Sequence, residues 1–358
     1  MQIATSMTQT KEERLWQAAT VGDLETVKVL AEDPEVNVNW DDPEIGRTPF
    51  YRACGHGQAA VVRYLLSHPR LDPNIPERTM TASPYFVACQ EGKVEVVGLL
   101  LADLRVNVSQ ARGDKVTPFF MAAQEGRVEV VSLLLVDPRG DPTVGNDENV
   151  TPFSIACQNG HLRIIHLLLE DWRVDPNRPK INNSSPLYYA TQNGHLDVVR
   201  HLLASWRPIN TGLKSDWNNR KAAEQGRRII PRGSNDSDET FARKKTNGPL
   251  CSDIIDEYEQ DPEAVRQRLR RLPGVREYFI GHTFALVVFF SDGFLQLGPD
   301  APSPTERFLR VNSRLPLELQ MLLCNRLFGS SHSIILSKDS EPGFRWLARL
   351  STWAEESR

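Results

Sequence analysis

Apolar and polar positions repeat along the first two thirds of the chain. Five hexads carry apolar residues at helical spacing: VVRYLL (61–66), VVGLLL (96–101), VVSLLL (130–135), IIHLLL (164–169) and VVRHLL (198–203). Each predicts a short amphipathic helix. Ahead of them an Ala-x-x-x-Gly pair recurs at Ala18/Gly22, Ala53/Gly57, Ala88/Gly92, Ala122/Gly126, Ala156/Gly160 and Ala190/Gly194, with glycine steps of 35, 35, 34, 34 and 34 residues. A degraded seventh copy ends at Ala222/Gly226. The inner copies open with Thr48-Pro49, Ser83-Pro84, Thr117-Pro118, Thr151-Pro152 and Ser185-Pro186. A hydroxyl caps the free N–H groups of a first helix, and proline fits its first position, where a missing N–H costs nothing. The glycine about two turns later permits the left-handed conformation that stops it. A polar hairpin-like loop such as Asp72-Pro73-Asn74 or Asp175-Pro176-Asn177 leads to the next copy.

Neither helix of one copy can bury its apolar face alone, so stacked copies must bury it against each other. The expected fold is all-α, a helical solenoid with short loop hairpins. At these residues the sequence resembles the ankyrin family, most closely in TPFSIACQNGH (151–161) and SPLYYATQNGH (185–195). The resemblance covers residues 11–226, as six repeats plus a degenerate seventh. It departs from the family in one column: Tyr51, Phe86, Phe120, Ser154 and Tyr188 replace the histidine that ties neighbouring loops. The loops are expected to rely on aromatic packing instead. They are also a residue or two longer than the 33-residue repeat allows.

The resemblance implies that a partner lies along the loop tips and the inner face of the first helices. The loop-tip positions are Glu44, Ile45 and Arg47; Thr79 and Met80; Gly113 and Asp114; Asp147 and Glu148; Ile181 and Asn182. The inner-helix positions are Gln90-Glu91, Gln124-Glu125, Gln158-Asn159 and Gln192-Asn193. These pairs follow the apolar face and precede the helix stop, so they are expected to face solvent as a polar ladder able to hydrogen-bond an extended chain.

Charge and composition narrow the partner. The net charge is −4, and the repeat region holds more acids than bases, which argues against nucleic acid as a partner. Residues 1–16 lack the apolar core of a signal peptide. The longest apolar stretch, Ile280–Phe290, is broken by Gly281, His282 and Thr283 and is far short of a bilayer span. These features predict a soluble, monomeric, cytoplasmic protein that binds no membrane, with the nucleus as the alternative location. Cys54, Cys89 and Cys157 share one repeat position, but equivalent helices of adjacent repeats stand about 8–10 Å apart, too far for a shared ion or a disulfide. Small buried thiols are expected. His161 and His195 follow the glycines, where histidine secures the turn. No zincin, phosphate-loop or nucleophile-elbow motif is present, so neither cofactor nor metal is expected.

Residues 1–10 are expected to be a disordered N-terminus. Residues 227–248 are polar with Pro, Gly and Ser and predict a linker. Beyond them the sequence predicts a small all-α domain over 249–358. It starts with a helix face of Leu250, Ile254, Ile255 and Tyr258, then a helix from Asp261-Pro262-Glu263 through Arg271, then a buried helix over 275–290. Arg266, Arg268, Arg270 and Arg271 are read as a solvated face. Helices over 304–313, 316–328 and 342–353 complete it. Within 315–327, Leu315-Pro316-Leu317-Glu318-Leu319 resembles the first helix of an F-box.

The expected function is a non-enzymatic scaffold or adaptor that grips another protein or peptide segment on the concave repeat surface. A ubiquitin-ligase substrate adaptor using 315–327 is the first alternative. An enzyme with its active site in the C-terminal domain is the second.

Overall fold

The computed structural model describes residues 9–216, 218, 220–228, 236–291, 320, 321, 324 and 335. The described residues form helices and, among them, no strand; a single bridge joins Ser215 and Arg220. The chain divides into two compact units, Met1–Leu168 with Arg173–Pro186, and Leu169–Trp172 with Leu187–Arg358.

The first unit is a run of helical hairpins: α1 (Lys11–Val21) with α2 (Leu24–Glu32), α3 (Pro49–His56) with α4 (Ala59–Ser67), α5 (Pro84–Gln90) with α6 (Val94–Ala102), α7 (Pro118–Gln124) with α8 (Val128–Val136), and α9 (Pro152–Asn159) with α10 (Leu162–Glu170). First helices pack on first helices (α1 on α3, α3 on α5, α5 on α7, α7 on α9), and second helices on second helices from α2 to α8. This is the expected solenoid. Its helix starts follow the capping logic: the hydroxyls of Thr48, Ser83, Thr117 and Thr151 accept from the N–H three residues on at 3.0–3.1 Å, with proline at the first helical position. Thr10, expected within a disordered N-terminus, caps α1 through a reciprocal pair with Glu13; residues 1–8 lie outside the described residues.

The column that lacks the family histidine is buried throughout: Tyr51, Phe86, Phe120, Ser154 and, in the second unit, Tyr188. The loops are tied further by their backbones. Arg78 N–H donates to the Ile45 carbonyl at 2.8 Å, Gly113 N–H to Met80 at 3.2 Å and Ile181 N–H to Glu148 at 3.0 Å. An asparagine ladder adds to this. Asn39 accepts from Asp72 N–H and donates to the Arg70 carbonyl; Asn74 accepts from Asn107 N–H and donates to the Arg105 carbonyl.

A second device was not anticipated from the sequence. One arginine per copy reaches back to carbonyls at the end of the preceding hairpin. Arg70 donates to Ala31, Asp33, Pro34 and Val36, Arg105 to Leu66, Arg139 to Leu101, and Arg173 to Gly140. The last carbonyls of a helix have no partner within it, and a cation there also meets the negative end of the helix dipole. Arg105 and Arg139 are held in turn by Asp103 and Asp137. Their hydrogen bonds keep both carboxyls below the ordinary carboxylate value, against the opposing effect of burial.

Cys54, Cys89 and Cys157 are free and fully buried, and burial pushes their thiols well above the ordinary value. They are packing groups, as the spacing argument required.

The second unit contains α11 (Pro186–Gln192), α12 (Leu196–Ala204), α13 (Ala222–Gly226), α14 (Asp238–Gln260), α15 (Pro262–Leu269) and α16 (Val275–Ser291). Here the expected linker over 227–248 is corrected: from Asp238 onward it is helix. Ser237 caps that helix by accepting from Thr240 N–H at 3.1 Å, and Asp238 and Glu239 lie in its first turn, where acids favour the dipole. The Gly248-Pro249 pair, which suggested a break, lies inside α14. Gly248 serves a crossing: a Cβ there would stand 2.6 Å from the Gly226 carbonyl oxygen, so α13 and α14 approach at a separation only glycine permits. The buried face of α14 is Cys251, Ser252, Ile255 and Tyr258, with Leu250 turned outward.

The helices at Pro262 and Val275 start as the sequence predicts, Asp261 capping the first through Ala264 N–H. The arginine row is not wholly solvated, because Arg270 donates to the Ala204 carbonyl at the end of α12 and stacks over Phe279. It repeats the repeat-region device outside the repeats, while Arg207, 34 residues after Arg173, continues the repeat column by donating to the Leu169 and Asp171 carbonyls. Ile280, Phe284 and Val287 of α16 pack with Cys324. The predicted helices at 304–313 and 342–353 lie outside the described residues. So does the F-box-like stretch 315–327 apart from Gln320, Met321 and Cys324.

Two stability measurements check this account. Arg139→Ala removes a charged donor from the Leu101 carbonyl and is expected to cost about 1.5–3 kcal/mol in chemical denaturation. Thr81 is a β-branched residue at φ +60°, in the column otherwise filled by Gly46, Lys115, Asn149 and Asn183, all at positive φ. Thr81→Gly relieves that strain and is expected to raise stability by about 0.5–1 kcal/mol, net of the entropy cost of glycine.

Candidate functional site

Among the described residues, the inner helices and loop tips of the first unit line an open cleft of about 470 Å³ between α3, α5 and the loops beside them. Its origin lies in the repeat register. Two residues before the helix-ending glycine the copies carry Gln90, Gln124, Gln158 and Gln192, but α3 carries Gly55. Even a Cβ at Gly55 would sit 3.2 Å from Val87 Cγ2. The missing side chain leaves the floor of the cleft open, with half-buried Val87 lining it.

The walls are rich in cations. Arg47 lies over the Tyr51 ring at 5.6 Å, and Arg112 over the Phe86 ring at 5.6 Å. Arg52 stacks over Trp16 at 4.6 Å, and its Nε donates to Thr20 Oγ1 at 3.2 Å. Lys93 closes one end, folded across Gly57. The equivalent residues of other copies spend their polar heads on the preceding repeat: Gln58 donates to the Thr20 carbonyl, Arg127 to Gln90, and His161 bonds the Gln124 carbonyl at 2.8 Å. That last contact is the turn-securing role expected of His161.

The acids of the cleft are differently committed. Burial alone would raise the Glu77 carboxyl, but the Thr79 hydroxyl and the N–H groups of Thr79, Met80 and Ala82 outweigh it and hold it below the ordinary value. Its charge is spent on shaping its own loop. Asp114 forms a two-point pair with Arg112. Glu91 stays exposed at the rim. Positive potential shows in two groups. Desolvation and then repulsion from Arg47 lower the Arg52 guanidinium, and desolvation followed by repulsion from Arg52 and Lys93 lowers the His56 imidazole.

Of the residues expected to bind a partner, the cleft brings together Arg47, Thr79, Met80, Gln90 and Glu91. Glu44 is exposed on the loop beside it, and Ile45 is half-buried, its carbonyl tied to Arg78. Farther along the same unit, Asp147 pairs with Lys115 and Glu148 with Lys180. Ile181 is 71% exposed and Met80 52%. Asn182 accepts from Ser184 N–H, closing its own turn. Gln124 bonds Glu125, and Asn159 donates to the Gln124 carbonyl, so that amide serves the stack itself; Gln158 is half-buried. Gln192 and Asn193 belong to the second unit, where Arg243 of α14 donates to the Asn193 carbonyl and Asn247 to Gly194. That end of the ladder is partly covered by α14. Tyr51, Arg52, Gly55, His56, Lys93 and Arg112 were missed as site residues. The legible signal was the single glycine interrupting the glutamine column.

Among the described residues no cluster of His, Cys, Asp or Glu could hold a metal ion. A family model described as ankyrin repeats (3 copies) matches residues 15–112 and again 119–214, more than half of the chain, and no family model matches beyond them. Comparison with curated proteins gives no match. The two matched spans, the paired helices with capped starts and the left-handed glycine stops agree: the chain belongs to the ankyrin-repeat family.

Proposed function

We propose that this protein is a non-enzymatic scaffold or adaptor that holds another protein on the loop tips and inner-helix face of its repeats. Ankyrin repeats in general mediate protein–protein interaction. What supports this reading here is the cleft between α3 and α5, which gathers five of the expected contact residues around an open floor. Met80 at the cleft rim and Ile181 farther along the edge are exposed apolar side chains, the kind of anchor that interfaces use within a polar rim. The partner is a protein or peptide segment, and neither nucleic acid nor membrane is invoked. Among the described residues no helix is long and apolar enough to cross a membrane. The protein is read as a cytoplasmic monomer that needs no cofactor. Nothing described favours the ubiquitin-ligase adaptor or the enzyme, whose residues would lie at 315–327 or elsewhere in the C-terminal region.

The test separates binding from folding. Replacing Ile45, Met80 and Ile181 together by serine is expected to leave the melting temperature within a few degrees of the parent, while reducing affinity capture of the partner by the full chain at least several-fold. Leu134 is buried in α8, and Leu134→Ala is expected to destabilise the fold by about 2–5 kcal/mol without touching the edge. A triple variant that captures the partner as well as the parent does would remove this edge from the interface.

A further inference from the structure

We infer that the cleft between α3 and α5 recognises an acidic segment of the partner, with a carboxylate seated on Arg47 and Arg52 and a neighbouring apolar side chain over Val87 and Met80. The inference deepens the scaffold reading and rests on it. It starts from the charges left over once internal pairing is complete. Arg112 is matched by Asp114 and the Glu77 carboxylate by its own loop. Arg47, Arg52 and Lys93 face no carboxylate at ion-pair distance among the described residues. Arg47 is half-buried over the Tyr51 ring, and a charged hydrogen bond from a guanidinium to a carboxylate is among the stronger kinds. Three cations without a carboxylate partner thus line one cleft of a protein whose net charge is −4.

Shape selects the class of acid. A volume of about 470 Å³ suits one or two side chains of a peptide. The cations cluster at one point and do not run in the row that a phosphate backbone requires. Glu91 at the rim and the pairs Lys115–Asp147 and Lys180–Glu148 farther along the edge make an extended polyanion unfavourable. Gly55 is what admits the side chain. With glutamine there, as at Gln90, Gln124, Gln158 and Gln192, the floor would be filled. Met80, 52% exposed at the rim, supplies the apolar surface beside the charge.

The test is selection of random twelve-residue peptides displayed on phage against the full-length protein, followed by fluorescence anisotropy with the enriched peptides. The expected result is enrichment of sequences with Asp or Glu next to a large apolar residue, whose binding weakens with rising salt. The amide versions of the same peptides should bind at least tenfold more weakly. Gly55→Gln introduces the glutamine of the later copies, and because its Cβ would press Val87 at 3.2 Å, Gly55→Ala serves as the control for that contact; Gly55→Gln should reduce affinity at least tenfold relative to Gly55→Ala at a temperature where both are folded. Arg52→Gln should weaken the acidic peptide more than its amide version. Arg63→Gln, on the exposed face of α4, should change nothing. Selection that yields no peptides, neutral or basic peptides, or peptides insensitive to Gly55→Gln would overturn the inference. So would a single-stranded oligonucleotide that competes at the cleft with comparable affinity. If acidic peptides fail while the loop-tip triple variant still loses the cellular partner, the acidic specificity falls and the scaffold reading stands.

Discussion

Every hairpin in the first unit depends on its neighbour to finish it. Helices of seven to nine residues leave almost half of their backbone carbonyls without an internal partner, and their apolar faces have no covering layer of their own. The next repeat supplies both. Its helices cover the apolar face, and its arginine (Arg70, Arg105, Arg139 or Arg173) returns to the open carbonyls. The residues after Gly57, Gly126 and Gly160 do the same at the other end, as His161 does for Gln124. Stability is therefore made at junctions, and most polar side chains near a junction are already committed.

That commitment defines where function can reside. A side chain is available to a partner only where the repeating pattern lapses. Gly55 removes a rung of the glutamine column, and Lys93 leaves its head group unspent where Gln58 and Arg127 bond the preceding repeat. The two lapses fall beside Arg47 and Arg52, and together they produce the cleft. A repeat frame that is regular in its caps and core thus opens a cleft through two departures. In the second unit, Arg270 and Arg207 apply the same carbonyl-capping chemistry, and α14 bonds the Asn193 and Gly194 carbonyls.

The parts legible in the sequence were those set by local chemistry. Thr-Pro and Ser-Pro starts, glycine stops and apolar hexads act within a few residues, and the helices lie where these signals put them. The buried cysteines followed from repeat spacing. Less legible was whatever depends on a residue's partner one repeat away. The arginine column has a period of 34–35 residues, but its role requires knowing that the guanidinium reaches backward and not into solvent. The helix over 238–260 was obscured because Gly248-Pro249 reads as a break, whereas its close approach to Gly226 makes that glycine a packing requirement. The loop-tip and ladder residues lie on exposed or half-buried surface, yet only some of them converge. Their convergence follows from an absent side chain at Gly55, which no list of present side chains would indicate.

Hydrogen exchange of the full-length protein, free and bound to the partner it captures, addresses the central claim most directly. The account predicts new protection over Arg47–His56 and Glu77–Gln90, with the amides of 236–291 unchanged. Protection confined to 236–291, with the amides of α3 and α5 exchanging as in the free protein, would contradict it and move the binding site out of the repeats.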